Sequence, residues 1–367
     1  MKLTLHIGHG KTGTSAIQSL LALNTDLLEE YDICYPKNET FASAKKGYVT
    51  SGNLNGPGKY NKSIYEKTKD KVKNHYLFSN ESIMSQILAD FATLKQLEKD
   101  FDLELILYCR NPLDHAFSSY GQGVKRGGYT MSISDWIDSY NTPQRVVDMI
   151  KLCNESSVSL QLINYSKIDS IEKSFCDVLL GNKSVEFLAK AKFATVKTVN
   201  RSLSRVEYEI QREFNKYIGA KSSKFISDRL VNNAAKIKSE KEYISINSLE
   251  KFNKKHQKNI DQINKYLDKD KQLTLEIPQD LKPQTDTYEI SSKQIAVLVE
   301  SISEQILNNE LLDKDADYLR DISLKFDNKK PLTLKDAHYL MRLAHKARPE
   351  GPVIKQKLEI YKKELKI

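Results

Sequence analysis

Long hydrophobic runs are the first thing that this sequence lacks. No apolar stretch approaches the ~20 residues that a helix needs to cross a bilayer, so no transmembrane segment is expected. Residues 1–7 hold one lysine in a short apolar–polar alternation and run straight into a glycine-rich loop. This is the layout of neither a signal peptide nor a transit sequence. We therefore expect a cytoplasmic protein.

Paired cysteines are absent as well. Cys34, Cys109, Cys153 and Cys176 are scattered, with no CxxC pair. In a chain of this size the pattern predicts reduced, mostly buried thiols. The seven histidines do not cluster near the cysteines at ligand spacing, so we expect no metal site.

The composition is that of a globular protein with a basic surface. Hydrophobic residues make up 40% of the 367 residues and charged residues 29%, with a net charge of +9. The positive charge favours anionic partners but does not choose among nucleic acid, membrane, acidic glycan and nucleotide. Because no basic patch is interleaved with aromatic residues, a nucleic-acid partner is not expected.

Strand and helix patterns alternate through the first half of the chain. Short apolar runs predict strands at residues 3–7, 33–35, 76–78, 103–108 and 159–164. Helical patterns lie between them, and the run 103–108 is apolar enough to be buried on both faces. This order predicts an α/β fold, a P-loop-like open parallel sheet flanked by helices, with an α-helical C-terminal extension.

Beyond residue 205 the pattern becomes helical. We predict a nucleotide-binding core at residues 1–205, a helical region on the acceptor side at 206–330, and a helical hairpin at 331–367. The hairpin has no second copy at a fixed period, so a repeat array is not predicted. The glycine-rich segment 51–58 is predicted to border the acceptor cleft as a loop.

Residues 8–15 read Gly-His-Gly-Lys-Thr-Gly-Thr-Ser between a strand and a helix. Such a loop offers backbone N–H groups and the positive end of a helix dipole to an anion. A Walker A loop would place its first glycine at Leu5, inside the strand. The dinucleotide pattern GxGxxG does fit Gly8, Gly10 and Gly13, but Lys11 inside it and the missing acid after the second strand argue against that use.

The order Lys11-Thr12-Gly13-Thr14-Ser15 resembles the 5′-phosphosulfate loop of sulfotransferases that use 3′-phosphoadenosine 5′-phosphosulfate (PAPS). In that family a proline usually precedes the lysine, and here Gly10 stands in its place. Arg110 at the end of a buried strand, with Ser118 eight residues later, is similar to the family's 3′-phosphate motif. Residues 118–128 also resemble bacterial carbohydrate sulfotransferases of the capsule and lipopolysaccharide type.

The resemblance implies roles for individual residues. Lys11 would stabilise the negative charge that develops on the bridging oxygen of PAPS. The 5′-phosphate would be held by residues of the loop, namely Gly10, Thr12, Gly13, Thr14 and Ser15. The 3′-phosphate would be held by Arg110 and Ser118. The product would be 3′,5′-adenosine bisphosphate, and no metal is needed. The acceptor would be a carbohydrate hydroxyl, with peripheral contact to a lipid-linked glycan compatible with the sequence.

Glu81 is our candidate for the general base, because the glycan branch of the family uses a glutamate in this region. A helix-capping role explains Glu81 equally simply. His9 is the rival base, and packing against the nucleotide is its alternative role. Further acceptor contacts are predicted at His9, Gln122, Lys125, Arg126 and Arg201. The alternative for Gln122, Lys125 and Arg126 is an ordinary exposed helix surface, and that for Arg201 is a helix N-cap.

Two other functions compete with sulfuryl transfer. A P-loop kinase or nucleotide hydrolase would need Mg²⁺ and an acid at a strand end, where this chain has Cys109 and Arg110 instead. A non-catalytic nucleotide-binding adaptor would not need to keep Lys11 and Arg110, and both are present.

Overall fold

The computed structural model describes residues 1–48, 50–54, 60–70, 73–194, 201–277, 289–308, 313–326 and 334–366. The chain divides into two compact units. One combines Met1–Ala220 with Ile237–Tyr288, and the other combines Lys221–Lys236 with Glu289–Ile367. The functional division drawn at residues 205 and 330 stays a prediction.

A five-stranded parallel sheet forms the centre of the first unit. Its strands are β1 (Lys2–His6), β2 (Ile33–Cys34), β3 (His75–Ser79), β4 (Asp102–Cys109) and β5 (Ser159–Asn164). They lie in the order β2-β3-β1-β4-β5, and every pairing is parallel. All five strands predicted from apolar runs are confirmed, with ends that differ by at most one residue.

Both faces of the sheet are covered by helices. In β4, Leu105 and Leu107 face one hydrophobic cluster, while Ile106 and Tyr108 face the other. This alternation is why the run reads as continuously apolar in the sequence. The predicted α/β class, an open parallel sheet flanked by helices, is therefore confirmed.

The helices of the first unit follow the strands in chain order. They are α1 (Thr14–Leu23), α2 (Thr25–Glu30), α3 (Phe41–Lys45), α4 (Tyr60–Thr68), α5 (Ile83–Ala89), α6 (Phe91–Asp100), α7 (Pro112–Arg126), α8 (Ile133–Trp136), α9 (Thr142–Asn154), α10 (Ile171–Leu180), α11 (Ser184–Lys190) and α12 (Arg205–Ile218). The long helix α14 (Ile246–Asn264) also belongs to this unit and contributes Ile260 and Ile263 to the cluster that contains Leu105.

The strand order creates a crevice at one edge of the sheet. The chain leaves β1 toward β2 at one side, and it leaves β4 toward β5 at the other. Because β1 and β4 are neighbours, the loops after them separate at their carboxyl ends. Ligands of open α/β sheets bind at such a switch point.

The second unit is helical where the structure describes it. It consists of α13 (Ser227–Asn233), α15 (Ser292–Asn308), α16 (Asp313–Phe326), α17 (Leu334–Ala347) and α18 (Pro352–Leu365). Small residues, Ala316, Ala337 and Ala344, let the last three helices pack closely around Tyr361. The two helices predicted around the turn at 348–352 are present.

Some predictions fall partly outside the described residues. Residues 55–58 of the glycine-rich segment 51–58 are among these, and its described residues, 51–54, are not among those that line the cleft. None of the helices in the described ranges has the length and apolar character required to traverse a lipid bilayer.

Candidate active site

The loop between β1 and α1 lies at the switch point. Its backbone takes the left-handed conformation at two positions, Lys11 (φ 70°) and Gly13 (φ 81°). A Cβ at Gly13 would meet Ile171 Cγ1 at 2.8 Å, so only glycine fits there. At the start of α1 the N–H groups of Ala16 and Ile17 donate to the Gly13 carbonyl, while those of Thr14 and Ser15 have no acceptor among the described hydrogen bonds. The loop therefore offers free donors and a strained lysine at the crevice.

The hydroxyl groups of the loop do not all face the cleft. Thr12 is fully buried and donates to the carbonyl of His9 at 2.8 Å, so its hydroxyl braces the loop internally. Thr14 donates to the carboxylate of Glu81. Ser15 lines the cleft. Of the three hydroxyls predicted as phosphate donors, only that of Ser15 has no partner of this kind among the described contacts.

Glu81 follows β3 and reaches across to the loop. Its Oε1 accepts the hydrogen bond from Thr14, and a Cβ at Gly10 would lie 3.3 Å from its Oε2. Helix α5 is preceded by Ser82, whose N–H donates to Asn80 Oδ1, and Glu81 takes no part in that cap. The contact also gives a physical reason for Gly10 where the family resemblance predicts proline, because a side chain there would press on the carboxylate.

Arg110 and Lys11 bring the ends of β4 and β1 together. Arg110 Nη1 donates to the carbonyl oxygen of Lys11 at 3.2 Å, and its guanidinium lies over the Tyr165 ring, 5.6 Å from the ring centroid. Burial lowers the pKa of Lys11; the charge of Arg110 acts in the same direction, and that of Glu81 opposes it. The ends of three strands thus contribute one ammonium group, one carboxylate and one guanidinium to a single site.

His9 and His115 form a buried polar chain behind the loop. His115 Nε2 lies 3.0 Å from both His9 Nδ1 and the carbonyl oxygen of Gly10, and its Nδ1 lies 2.9 Å from the Tyr140 hydroxyl. Because a carbonyl only accepts, the network assigns the His115 proton to Nε2 and makes Tyr140 the donor to Nδ1. Burial above all lowers the pKa of His9 to about 4 and holds that of His115 well below its usual value. Both rings are neutral near pH 7, and the His115 Nε2–H fixes the Gly10 carbonyl.

Helix α7 lines the cleft with the face that carries Ser118. The predicted residues Gln122, Lys125 and Arg126 lie on the same wall. Arg201 also borders the cleft, but its guanidinium is paired with Glu207 through contacts of 2.6 and 2.8 Å. Glu207 in turn accepts from the Ser204 N–H at the start of α12. Arg201 thus contacts the capping-box glutamate of α12, while the N-cap itself is Ser204.

Together these residues enclose a cleft of about 1140 Å³. All predicted site residues except Thr12 line it. The lining also includes residues that the sequence did not single out: Ser85, Thr142, Arg145, Tyr165, Glu172 and Tyr208. No local motif marks them, although Pro143 signals the start of the helix that carries Arg145.

No group of three His, Cys, Asp or Glu side chains within the described ranges is placed to hold a metal ion. Comparisons of the chain with models of protein families, with curated proteins and with solved structures gave no match. The function is therefore argued from the site itself.

Proposed function

We propose that this protein is a PAPS-dependent sulfotransferase that acts on a carbohydrate hydroxyl. The observation that carries the proposal is the meeting of Lys11, Glu81 and Arg110, from the ends of three neighbouring strands, around one glycine-rich loop. The cleft exceeds the roughly 300–1,000 Å³ typical of small-molecule pockets, which suits a nucleotide together with a second substrate.

The residues present suit the donor. The left-handed turn at Gly13 and the N–H groups of Thr14 and Ser15 at the start of α1 match a 5′-phosphate, with the Ser15 hydroxyl as an added donor. Arg110 offers its planar fork, and Ser118 its hydroxyl, to a 3′-phosphate from the neighbouring strand end. When bound, PAPS supplies an activated sulfuryl group for in-line transfer, a reaction analogous to phosphoryl transfer.

Lys11 contributes positive charge where negative charge grows as the sulfur–oxygen bond breaks. Its left-handed backbone is held by Arg110 through the Lys11 carbonyl, so the backbone from which this side chain extends is fixed before the donor binds. Glu81 accepts the proton of the acceptor hydroxyl. Its Oε1 is occupied by Thr14, which leaves Oε2, beside Gly10, as the basic oxygen. His9 is a weaker candidate for this role because its Nδ1 faces His115.

The test is calorimetric binding of 3′,5′-adenosine bisphosphate without metal. We expect the wild type to bind, and Lys11→Ala to weaken binding about tenfold or more, as the loss of one charge-assisted contact does. Lys254→Ala, which removes an exposed lysine from α14, is the matched control and should bind as the wild type does. A preference for Mg·ATP would favour a kinase or nucleotide hydrolase. A wild type that binds no nucleotide would contradict the proposal.

A further inference from the structure

Arg145 lines the cleft but has no place in the donor site described above. It stands in the first turn of α9, and its Nη2 donates to Ser85 Oγ at 2.5 Å. Among the residues that the structure describes, no carboxylate forms an ion pair with Arg145. The guanidinium is thus oriented by a neutral hydroxyl, and its positive charge can interact with an anionic group of a ligand.

The partner of Arg145 lies on the helix that follows the proposed base. Ser85 stands on α5, four residues after Glu81, and lines the cleft together with Glu81 and Arg145. The donor contacts proposed above are made by other residues, those of the loop itself and Arg110. Arg145 therefore faces the region where an acceptor hydroxyl must approach Glu81.

We propose that Arg145 binds a carboxylate of the acceptor, so that the substrate is an acidic sugar of the uronic acid type. The inference rests on the proposed function and names the substrate class of the same site. A guanidinium that gives one Nη2 hydrogen to Ser85 keeps the other, which together with the adjacent N–H of Nε or of Nη1 matches the two oxygens of a carboxylate. Because the bond to Ser85 already fixes the side chain, less conformational entropy is lost on binding.

The charge of the surroundings favours a single negative charge on the ligand. Glu81 contributes a carboxylate nearby, and a second anion beside it needs a compensating cation. The positive charge of Lys11 already faces Glu81, and one guanidinium balances one carboxylate, so a dianionic phosphate ester would bring a second negative charge that Arg145 does not balance. The acceptor carboxylate is thereby held near Glu81 without preventing proton transfer.

The experiment compares two sugars that differ only at C6. Binding of methyl glucuronide and of methyl glucoside is measured by calorimetry with the full-length protein saturated with 3′,5′-adenosine bisphosphate, and again without nucleotide. We expect the glucuronide to bind about tenfold more tightly or better, a preference that falls as salt is added. Arg145→Gln should abolish the preference, Arg145→Lys should retain part of it, and both should leave nucleotide affinity unchanged.

Lys151→Gln is the matched control, since it removes an exposed positive charge from the same helix and should keep the preference. Equal binding of the two sugars, no binding of either, or a preference that survives Arg145→Gln would overturn the inference. Tighter binding of glucose 6-phosphate than of the glucuronide would contradict the carboxylate assignment. If the wild type binds no nucleotide, the proposed function fails, while the nucleotide-free sugar comparison still decides the role of Arg145.

Discussion

At the scale of single residues, Glu81 is the side chain on which the proposed chemistry depends most. Its carboxylate is close to the very loop that is proposed to hold the donor's phosphate, which is an unfavourable place for a negative charge. A purely structural acid would be replaceable there by a neutral hydrogen-bond acceptor. A negative charge at Glu81 disfavours phosphate binding but is required for proton transfer, so a neutral substitution should change the two properties in opposite directions.

Glu81→Gln keeps an oxygen that can accept from Thr14 but cannot take a proton. We expect turnover of PAPS with an accepted carbohydrate to fall by about 10²- to 10⁴-fold, the usual effect of losing a general base. Affinity for 3′,5′-adenosine bisphosphate should be unchanged or higher, because a negative charge beside the phosphates is removed. Glu250→Gln on the exposed side of α14 serves as the control. Weaker nucleotide binding with normal turnover would assign Glu81 a structural role instead.

At the scale of elements, the sequence was most informative about the strands and the loops that follow them. Runs such as 103–108 are apolar on both faces because helices cover both sides of the sheet, so their signal is strong. The position of the loop at 8–15 was predictable because its glycines interrupt both the strand pattern before it and the helix pattern after it. By contrast, Arg145 and Tyr208 are ordinary helix residues whose place in the cleft depends on how α9 and α12 pack. Packing across long sequence separations leaves no local pattern to read.

The contact between α7 and α12 is one such packing feature. The Tyr208 hydroxyl approaches Gly121 so closely that a Cβ there would lie 2.4 Å from the hydroxyl oxygen and 3.4 Å from Cζ. Asn215 of α12 also donates to the carbonyl oxygens of Val124 and Tyr129, at 2.9 Å each. The absence of a side chain at Gly121 therefore allows α12 to pack closely against α7, the helix that carries Ser118.

Gly121→Ala should destabilise the protein by about 1–3 kcal/mol, the usual cost of overpacking, despite the better helix propensity of alanine. Tyr208→Phe removes the oxygen that the new Cβ would meet and leaves Cζ at ordinary contact distance. Urea unfolding of the two single variants and the double variant measures the coupling. The double variant should be more stable than the sum of the single effects predicts. Simple additivity would show that the two side chains do not meet.

At the scale of the whole molecule, buried neutral histidines link stability to pH. His6, His115 and His256 are each almost fully buried, and burial lowers their pKa values, to about 3 for His6 and about 4 for His256. In the unfolded chain these groups bind a proton below about pH 6.5. The folded protein should therefore lose stability as the pH falls from 6.5 toward 4, with up to about 1.4 kcal/mol per pH unit from each histidine.

His256→Phe tests this linkage at a site away from the cleft. The ring lies against Phe252, with centroids 4.6 Å apart, so an apolar ring suits the position. Relative to the wild type, the variant should gain stability progressively between pH 6.5 and pH 4.5, as measured by urea unfolding at each pH. A constant difference across this range would mean that His256 is protonated equally in the folded and unfolded states.

The most direct test of the central claim is a comparison of two nucleotides that differ only in the 3′-phosphate. Affinities for 3′,5′-adenosine bisphosphate and for adenosine 5′-monophosphate are measured without metal for the wild type and for Arg110→Ala. We expect the wild type to prefer the bisphosphate by about a hundredfold, and Arg110→Ala to remove most of this preference while changing affinity for the monophosphate little. An equal loss for both nucleotides, or a wild type that does not discriminate between them, would contradict a 3′-phosphate site at Arg110 and with it the proposed sulfotransferase.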